Sequence, residues 1–172
     1  MMTASEAIRA RRSIRKFVKG AEVTDQQIHA LLEAAMVTPS ACNSRPWEFI
    51  VIKDRAIMDK IREIHPYTGM LETASLAIVM LALPHTQTRP IDIGYYPQDC
   101  GAATQNILIE AVAQGLGACW CGVYPKETRI GEIKSILNLK NDEVPFCVIA
   151  VGVPDENPEP RGAYDAGKVR YM

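Results

Sequence analysis

The order of apolar and polar residues divides the chain into segments of helical and of strand character. Apolar residues recur at helical spacing behind capping residues, and unbroken apolar runs of strand length lie between these segments. Helices are predicted over residues 4–12, 24–35, 54–65 and 98–114 and within 125–137. Strands are predicted over residues 47–53, 74–83, 117–124 and 144–153. About four strands and five helices predict an α+β fold.

Local signals support several of these elements. Thr3-Ala-Ser-Glu6 and Thr24-Asp-Gln-Gln27 are capping boxes that begin the first two helices. The run 74–83 is apolar on both faces, which is typical of a central strand. The segment 98–114 carries few charges, so we expect this helix to be the buried spine of the domain. The segment 38–46 is rich in turn-forming residues and predicts a loop.

The composition restricts the class of protein. With 172 residues, 48% hydrophobic and 23% charged, the chain suits one globular domain with its own core. A net charge of −1 and a pI near 6.3 argue against a nucleic-acid-binding protein, and no apolar run reaches the roughly 18 residues of a membrane span. Five cysteines, four of them in apolar stretches, favour buried reduced thiols in a reducing compartment, the cytoplasm. A metal held by Cys119 and Cys121 is the less favoured alternative, because no second Cys/His pair has suitable spacing.

Both ends of the chain carry an unusual composition. Six basic residues among the first 20 are similar to an arginine-rich presequence, but the capping box at Thr3 favours a folded helix there. The segment 154–172 is rich in proline and charge and cannot form a core, so we expect it to be disordered unless it binds something. We therefore predict a single domain over residues 1–153 and an extended C-terminal tail over 154–172.

Residues 11–16 concentrate three arginines, a lysine and a hydroxyl group. Guanidinium groups match the geometry of phosphate, and a serine hydroxyl or a backbone N–H completes such a site. A solvated basic face is the alternative interpretation on composition alone. Lys168 and Arg170 favour the anion site, because alternate residues of an extended strand point the same way and can face one anion.

The common catalytic and nucleotide-binding motifs are absent from the sequence. Gly115-Leu-Gly117-Ala-Cys-Trp120 lacks the third glycine of a dinucleotide-binding fingerprint and precedes a strand instead of opening a helix. No P-loop, HExxH or GxSxG motif occurs. Because Cys42 lies in a loop, a Cys/His hydrolase is still an alternative, although no histidine is placed by the sequence to activate this thiol. A phosphate site without acid–base groups predicts a cofactor that carries the chemistry itself.

Four motifs, in order along nearly the whole chain, resemble the FMN-dependent nitroreductase family. They are Glu6-Ala-Ile-x-x-Arg-Arg-Ser-x-Arg-x-Phe17, Pro39-Ser-Ala-x-Asn-Ser-x-Pro-Trp-x-Phe49, Asp99 and Asn106 with Gly115-Leu-Gly-x-Cys-Trp-x-Gly122, and Lys168-x-Arg170. The resemblance implies a central, mostly antiparallel sheet of four to five strands flanked by helices. It also implies a domain-exchanged homodimer with two flavins at the interface.

The resemblance further implies which residues would bind FMN. The phosphate and ribityl chain would be held by Arg11, Arg12, Ser13, Lys168 and Arg170. Arg15 would reach the flavin near N1 and C2=O, where a fixed cation stabilises negative charge and raises the reduction potential. Backbone groups near flavin N5 would come from Cys121 and Gly122, where glycine permits close approach. The flavin bound mainly to the other subunit would be contacted by Pro39, Ser40, Ala41 and Asn43.

The implied activity passes electrons from NADH or NADPH through flavin N5 to a small electrophilic acceptor, such as a nitroaromatic compound or a quinone, by a ping-pong mechanism. No side chain is expected to be catalytic, because the flavin reacts, and neither nucleic acid nor a membrane is an expected partner. The alternatives are another flavin chemistry (dehalogenation or flavin fragmentation), a flavin-binding module without turnover, and a nucleic-acid or membrane contact through the basic N-terminus. Arg45 replaces the glutamine common in the family, and residues 65–83 leave little room for a helical lid that would narrow specificity. The sequence therefore does not identify the acceptor.

Overall fold

A computed structural model describes residues 2–159 and 161–172, and their elements follow the predicted order. The helices are α1 (Ala4–Ala10), α2 (Asp25–Met36), α3 (Arg55–Ile64), α4 (Tyr96–Ala113) and α5 (Glu127–Leu137). The strands are β1 (Trp47–Ile52), β2 (Leu76–Ala82), β3 (Gly117–Gly122) and β4 (Val144–Gly152). The α+β class and the predicted helices and strands are confirmed.

The four strands of the described residues form one antiparallel sheet in the order β1-β2-β4-β3. Every residue of β2 is buried, so the predicted central strand is confirmed. β3 lies at the edge of the sheet, where Cys119 and Cys121 are buried while Trp120 and Gly122 are exposed. The edge strand therefore leaves part of its length accessible to other groups.

Helices cover both faces of the sheet. Leu76, Ile78 and Met80 of β2 pack in one core, which contains residues of α2 and α4. Ala77 and Val79 pack in a second core, which contains residues of α3 and α5. Because successive side chains of a strand point to opposite faces, a strand that is apolar throughout needs a layer on each side.

The segment after α1 is held against the edge strand. The Ile14 N–H donates to the carbonyl of Ala118 at 3.0 Å, and Ser13 forms an isolated parallel bridge with Ala118. Phe17 is 2% exposed and forms an antiparallel bridge with Pro154, just beyond β4. The basic cluster is therefore fixed in an extended segment between β3 and the tail.

Several local features differ from the predictions, and among them β2 begins at Leu76 and not at residue 74, and β3 ends at Gly122 and not at residue 124. α1 ends at Ala10 and not at residue 12, because Arg11 has an extended backbone with φ −56° and ψ 126°. α4 begins at Tyr96 and not at residue 98, because proline is favourable in the first turn of a helix. Ala166–Lys168 form a 3-10 turn, so the strand conformation predicted for Lys168 is not observed. No helix of the described residues is long and apolar enough to cross a membrane.

Candidate functional site

The basic cluster of the N-terminal segment lines a cavity of about 250 Å³. Four arginines border it, and they come from the N-terminal segment and from the tail: Arg11, Arg12, Arg15 and Arg161. Ser13 adds a hydroxyl group to the same wall. Arg12 Nε donates to the carbonyl of Glu159 at 3.3 Å, which joins the two segments. Several guanidinium groups beside one hydroxyl suit the oxygens of a phosphate.

One carboxylate lies in this cavity and is already engaged by the backbone. Glu156 Oε1 accepts hydrogen bonds from the N–H of Arg15 and, at 3.2 Å, from that of Lys16. These bonds hold the extended backbone of the basic segment in place. With four arginines against one glutamate, the lining is positively charged.

A larger cavity of about 530 Å³ lies beside β3. Its walls come from β3, from Arg15, and from four residues of the turn after α3, namely Pro66, Tyr67, Gly69 and Met70. A Cβ atom added at Gly122 would meet no other atom within 4 Å, so the backbone at this position is open to the cavity. A cavity of several hundred Å³ with mainly apolar walls is typical of a cofactor site.

Arg15 borders both cavities and so connects them. The cationic cavity suits the anionic end of a ligand, and the larger cavity suits a ring system. A ligand that has both parts would pass Arg15 at their junction. FMN has this composition, with a phosphate at one end and a flavin ring at the other.

Two free thiols form part of the wall of the larger cavity. Cys119 and Cys121 are each 3% exposed and share one face of β3. The interaction with the Cys121 thiol lowers the pKa of Cys119, although burial opposes this, and the neighbouring Cys119 thiol together with burial raises the pKa of Cys121. Buried thiols are found, as predicted, at Cys100, Cys119, Cys121 and Cys147.

The turn after α3 places an aromatic side chain at the larger cavity. Tyr67 is 67% exposed, yet three groups hold it. Its N–H donates to His65 Nδ1 at 3.2 Å, and its carbonyl accepts from Cys121 Sγ at 3.1 Å. The guanidinium carbon of Arg129 lies 5.4 Å from the ring centroid, within the range of a cation–π contact. The turn is therefore tied to both β3 and α5.

The loop predicted to contact a flavin is anchored to α4. Asp99 is 6% exposed, and its Oδ1 accepts from the Ala41 N–H at 3.0 Å. Asn106 Nδ2 donates to Thr38 Oγ1 at 2.8 Å. These two α4 residues belong to the motif identified in the sequence, and in the structure they position the loop.

The backbone of this loop is unusual. Cys42, Asn43 and Arg45 have φ values of 52°, 58° and 47°. Such conformations are uncommon for residues other than glycine and cluster at functional sites. Arg45, which replaces the expected glutamine, donates from Nε to Asn43 Oδ1 at 3.1 Å. The loop conformation is therefore imposed by contacts that include Arg45.

The predicted site residues fall into two groups. Arg11, Arg12, Ser13 and Arg15 lie together, and Cys121 and Gly122 line the adjoining cavity. In the described chain, the lining of these two cavities does not include Pro39, Ser40, Ala41, Asn43, Lys168 or Arg170. The end of the tail, residues 161–172, is exposed throughout, and Lys168 Nζ lies 3.8 Å from Asp165. One protomer thus assembles only part of the predicted set.

Several site residues escaped prediction. Arg161 lines the cationic cavity, and four residues of the turn after α3 (Pro66, Tyr67, Gly69 and Met70) line the larger one. Arg161 stands alone in a tail rich in proline and charge, and His65-Pro-Tyr-Thr-Gly69 has the composition of an ordinary turn. Neither segment carries a sequence signal for binding, because only the fold brings them to β3 and to the basic cluster.

Comparisons with known proteins show the family and the fold. The sequence matches the model of the Nitroreductase family over residues 8–65 and 64–153. A relative from Methanothermobacter thermautotrophicus, named "Putative NADH dehydrogenase/NAD(P)H nitroreductase", is 42% identical over 168 residues, which are 98% of this chain and 86% of the relative. The crystal structure of a protein of the same name from Parabacteroides distasonis has a TM-score of 0.91 at 34% identity, with 99% of this chain and 98% of that chain covered. The structure of an FMN-dependent nitroreductase from Clostridium difficile has a TM-score of 0.86 at 28% identity, with 96% of each chain covered.

Proposed function

Because the chain belongs to the nitroreductase family, we propose that it is an FMN-dependent oxidoreductase that takes electrons from NADH or NADPH. The acceptor is a small electrophile such as a nitroaromatic compound or a quinone. FMN, when bound, supplies hydride transfer at flavin N5. The observation that carries this proposal is the pair of adjoining cavities, one cationic and one mainly apolar, that share Arg15.

The cavity proposed for the phosphate is positively charged in a single protomer. Arg11, Arg12 and Ser13 present donors to the smaller cavity, and Arg161 adds a further guanidinium group. Charge-assisted hydrogen bonds of this kind contribute about 1.5–3 kcal/mol each. These residues would therefore bind and orient the phosphate and would favour it over an uncharged group.

Arg15 sets the electrostatics at the junction of the two cavities. In the proposed site its guanidinium group would lie near flavin N1 and C2=O. A fixed cation there stabilises negative charge and favours acceptance of electrons, as expected of preorganised electrostatic groups. Its place in the lining of both cavities supports this role.

The ring end of the site depends on the edge strand. Cys121 and Gly122 line the larger cavity, where their backbone groups would face flavin N5, and the space beside Gly122 would allow a close approach. In this proposal the nicotinamide and the acceptor both exchange electrons with flavin N5 in the larger cavity. They would therefore bind in turn, which predicts ping-pong kinetics.

The active unit in this proposal is a homodimer. The loop containing Pro39, Ser40, Ala41 and Asn43 lies outside the two cavities of its own described chain, as expected if it contacts the flavin of the other protomer. Lys168 and Arg170 complete the phosphate site when the exposed tail is covered in the dimer. Diluting the protein to monomers should therefore release FMN. Sedimentation of a monomer that retains full flavin content would contradict the composite site.

The test of function begins with the cofactor. The purified protein should show a flavin absorbance spectrum, and mass spectrometry of the released cofactor should identify FMN, at one per subunit. Steady-state oxidation of NADH or NADPH with a nitroaromatic or quinone acceptor should give parallel double-reciprocal plots. FAD, or no flavin after reconstitution, would overturn the proposal, and a flavoprotein without turnover would indicate a binding module.

A matched pair of variants distinguishes the loss of a phosphate contact from the loss of one positive charge elsewhere on the protein. Arg11→Ala removes a guanidinium group from the cationic cavity, whereas Arg9→Ala removes the same charge from an exposed position of α1. The first change should weaken FMN binding about tenfold or more, and the second should leave it within about threefold. Equal effects of the two changes would show that the cavity does not hold the phosphate.

A further inference from the structure

A buried histidine connects the turn after α3 to the end of β3. His65 has no exposed surface, and its two ring nitrogens have different partners. Nε2 lies 2.9 Å from the carbonyl oxygen of Gly122, and Nδ1 lies 3.2 Å from the N–H of Tyr67. A carbonyl oxygen only accepts and a backbone N–H only donates. The ring is therefore neutral, with its proton on Nε2.

The Gly122 carbonyl is held from two sides. Besides His65, it accepts from Arg129 Nη1 at 3.3 Å. The next N–H, that of Val123, donates to a β4 carbonyl at 3.1 Å, so the peptide between Gly122 and Val123 is fixed at both of its polar groups. Cys121 Sγ donates to the Tyr67 carbonyl and fastens the same end of β3 to the same turn. The two walls of the larger cavity are thus linked through the imidazole and one thiol.

We propose that His65 is a positioning residue for hydride transfer, because its neutral ring orients the Gly122 backbone and holds the Tyr67 side of the larger cavity. This inference rests on the proposed function, in which the Gly122 backbone lies near flavin N5. His65 is not part of the described lining of that cavity. It acts through Gly122 and Tyr67 and does not touch the reacting atoms.

The arrangement makes the positioning sensitive to pH. Protonation adds an N–H to Nδ1, which then faces the N–H of Tyr67, so the acceptor of that hydrogen bond is lost. The titratable and charged groups around the ring are Arg129 and Glu132 from α5, Tyr67 from the turn and Cys121 from β3. Burial lowers the pKa of His65, and the carbonyl of Gly122 partly opposes this shift. Positioning is therefore lost only at a pH below the ordinary histidine pKa of 6.5.

Two substitutions at His65 distinguish positioning from packing. His65→Gln keeps an N–H donor toward Gly122 but does not titrate, and His65→Leu fills space without any donor. Reduction of the FMN-loaded protein by NADH should be slowed about tenfold in the leucine variant at neutral pH, the loss expected for one buried hydrogen bond. The rate for the glutamine variant should stay within about threefold of that for the unchanged protein. In the unchanged protein the rate should fall at acidic pH (the acid limb of the pH profile), and the glutamine variant should lack this fall. The affinity for FMN should change by less than about threefold in both, because the phosphate site is untouched.

An exposed histidine provides the control. The imidazole of His85 is half exposed, and its Nδ1 lies 3.5 Å from Asp142 Oδ2. His85 does not belong to the described lining of the larger cavity, so His85→Gln makes the same substitution away from it, and the rate of its reduction should still fall at acidic pH. A leucine variant of His65 as fast as the unchanged protein would overturn the proposal. So would a glutamine variant as slow as the leucine variant, or one that keeps the acid limb.

A second measurement does not require a loaded enzyme. The ¹⁵N chemical shifts of the imidazole in labelled, flavin-free protein report which ring nitrogen carries the proton, and they should identify Nε2–H for His65. The Tyr67 amide should exchange slowly with solvent in the unchanged protein and faster in His65→Leu. A proton on Nδ1, or equal exchange in the two proteins, would overturn the inference. Failure of the unchanged protein to bind FMN or to oxidise NADH would overturn the proposed function instead, and the nitrogen shifts would still test His65.

Discussion

A methyl group added at Gly117 should disturb the cofactor site through the segment that carries the basic cluster. A Cβ atom at this position of β3 would lie 2.8 Å from Ile14 Cγ2 and 2.9 Å from Ile14 Cβ and Cγ1. Carbon atoms in contact normally lie about 3.5–4.0 Å apart, so the two segments would have to separate by roughly 0.5–1 Å. Ile14 is only 8% exposed, and its N–H is bonded to Ala118, so both packing and a hydrogen bond resist this movement.

The expected cost has two parts. Overpacking of this kind typically lowers the free energy of unfolding by about 1–3 kcal/mol. Any displacement of Ile14 also displaces its neighbours Ser13 and Arg15, which line the proposed FMN site. Loss of one charge-assisted contact to the phosphate, about 1.5–3 kcal/mol, would weaken FMN binding roughly ten- to hundredfold. Gly117→Ala should therefore reduce both stability and cofactor affinity.

Urea unfolding and a fluorescence titration with FMN measure the two effects separately. Gly131→Ala on α5 is the control, because an added Cβ there meets nothing within 4 Å, and alanine favours a helix by about 0.5–1 kcal/mol. Ile14→Ala in the Gly117→Ala background removes the colliding carbons, so the double variant should be more stable than the sum of the single losses predicts. Strictly additive losses would refute the collision as the cause.

The charged and titratable groups of the site give three further expected results. Arg15→Gln should lower the reduction potential of the bound flavin, because it removes the cation near N1 and C2=O; a redox titration with an unchanged potential would argue against this placement. Replacing both Lys168 and Arg170 by alanine should weaken FMN binding by roughly two to four orders of magnitude. If a fluorescence titration gave an affinity within about threefold of that of the unchanged protein, the N-terminal arginines alone would bind the phosphate. Because burial lowers the pKa of His65, the unfolded chain binds a proton more readily than the folded chain, so the free energy of unfolding should fall as the pH drops below 6.5 and be fully restored above it. Urea unfolding at several pH values measures this slope, which should be smaller in His65→Gln; an equal slope would assign the effect to other groups.

The secondary structure could be predicted from the sequence because its signals are local. The capping boxes at Thr3 and Thr24 are formed in the structure with both reciprocal hydrogen bonds. Each box involves residues three positions apart, so no tertiary contact is needed to form it. Likewise, the run 74–83 is apolar at every position because a strand covered on both faces requires this. Local geometry and burial periodicity were therefore sufficient for the type and order of the main helices and strands.

Part of the candidate site could also be recognised from the sequence. Arg11, Arg12, Ser13 and Arg15 are close in sequence, and they line one cavity because the segment that carries them is extended and bound to β3. Asp99 was recognisable only as part of a motif, since its hydrogen bond to Ala41 spans 58 residues. A cluster of arginines indicates an anion-binding site, but the sequence does not indicate which other segment of the chain will complete that site.

The tertiary structure decided which distant residues meet. Arg12 reaches Glu159 across 147 positions, and this contact brings Arg161 to the cationic cavity. His65 reaches Gly122 across 57 positions and decides how the two walls of the larger cavity are joined. Neither contact has a signature in the chain, because each depends on the packing of whole helices and strands and not on the residues beside it. The sequence by itself therefore determined the elements and the chemistry of the basic cluster, whereas only the fold determined the shape of the site that the cluster serves.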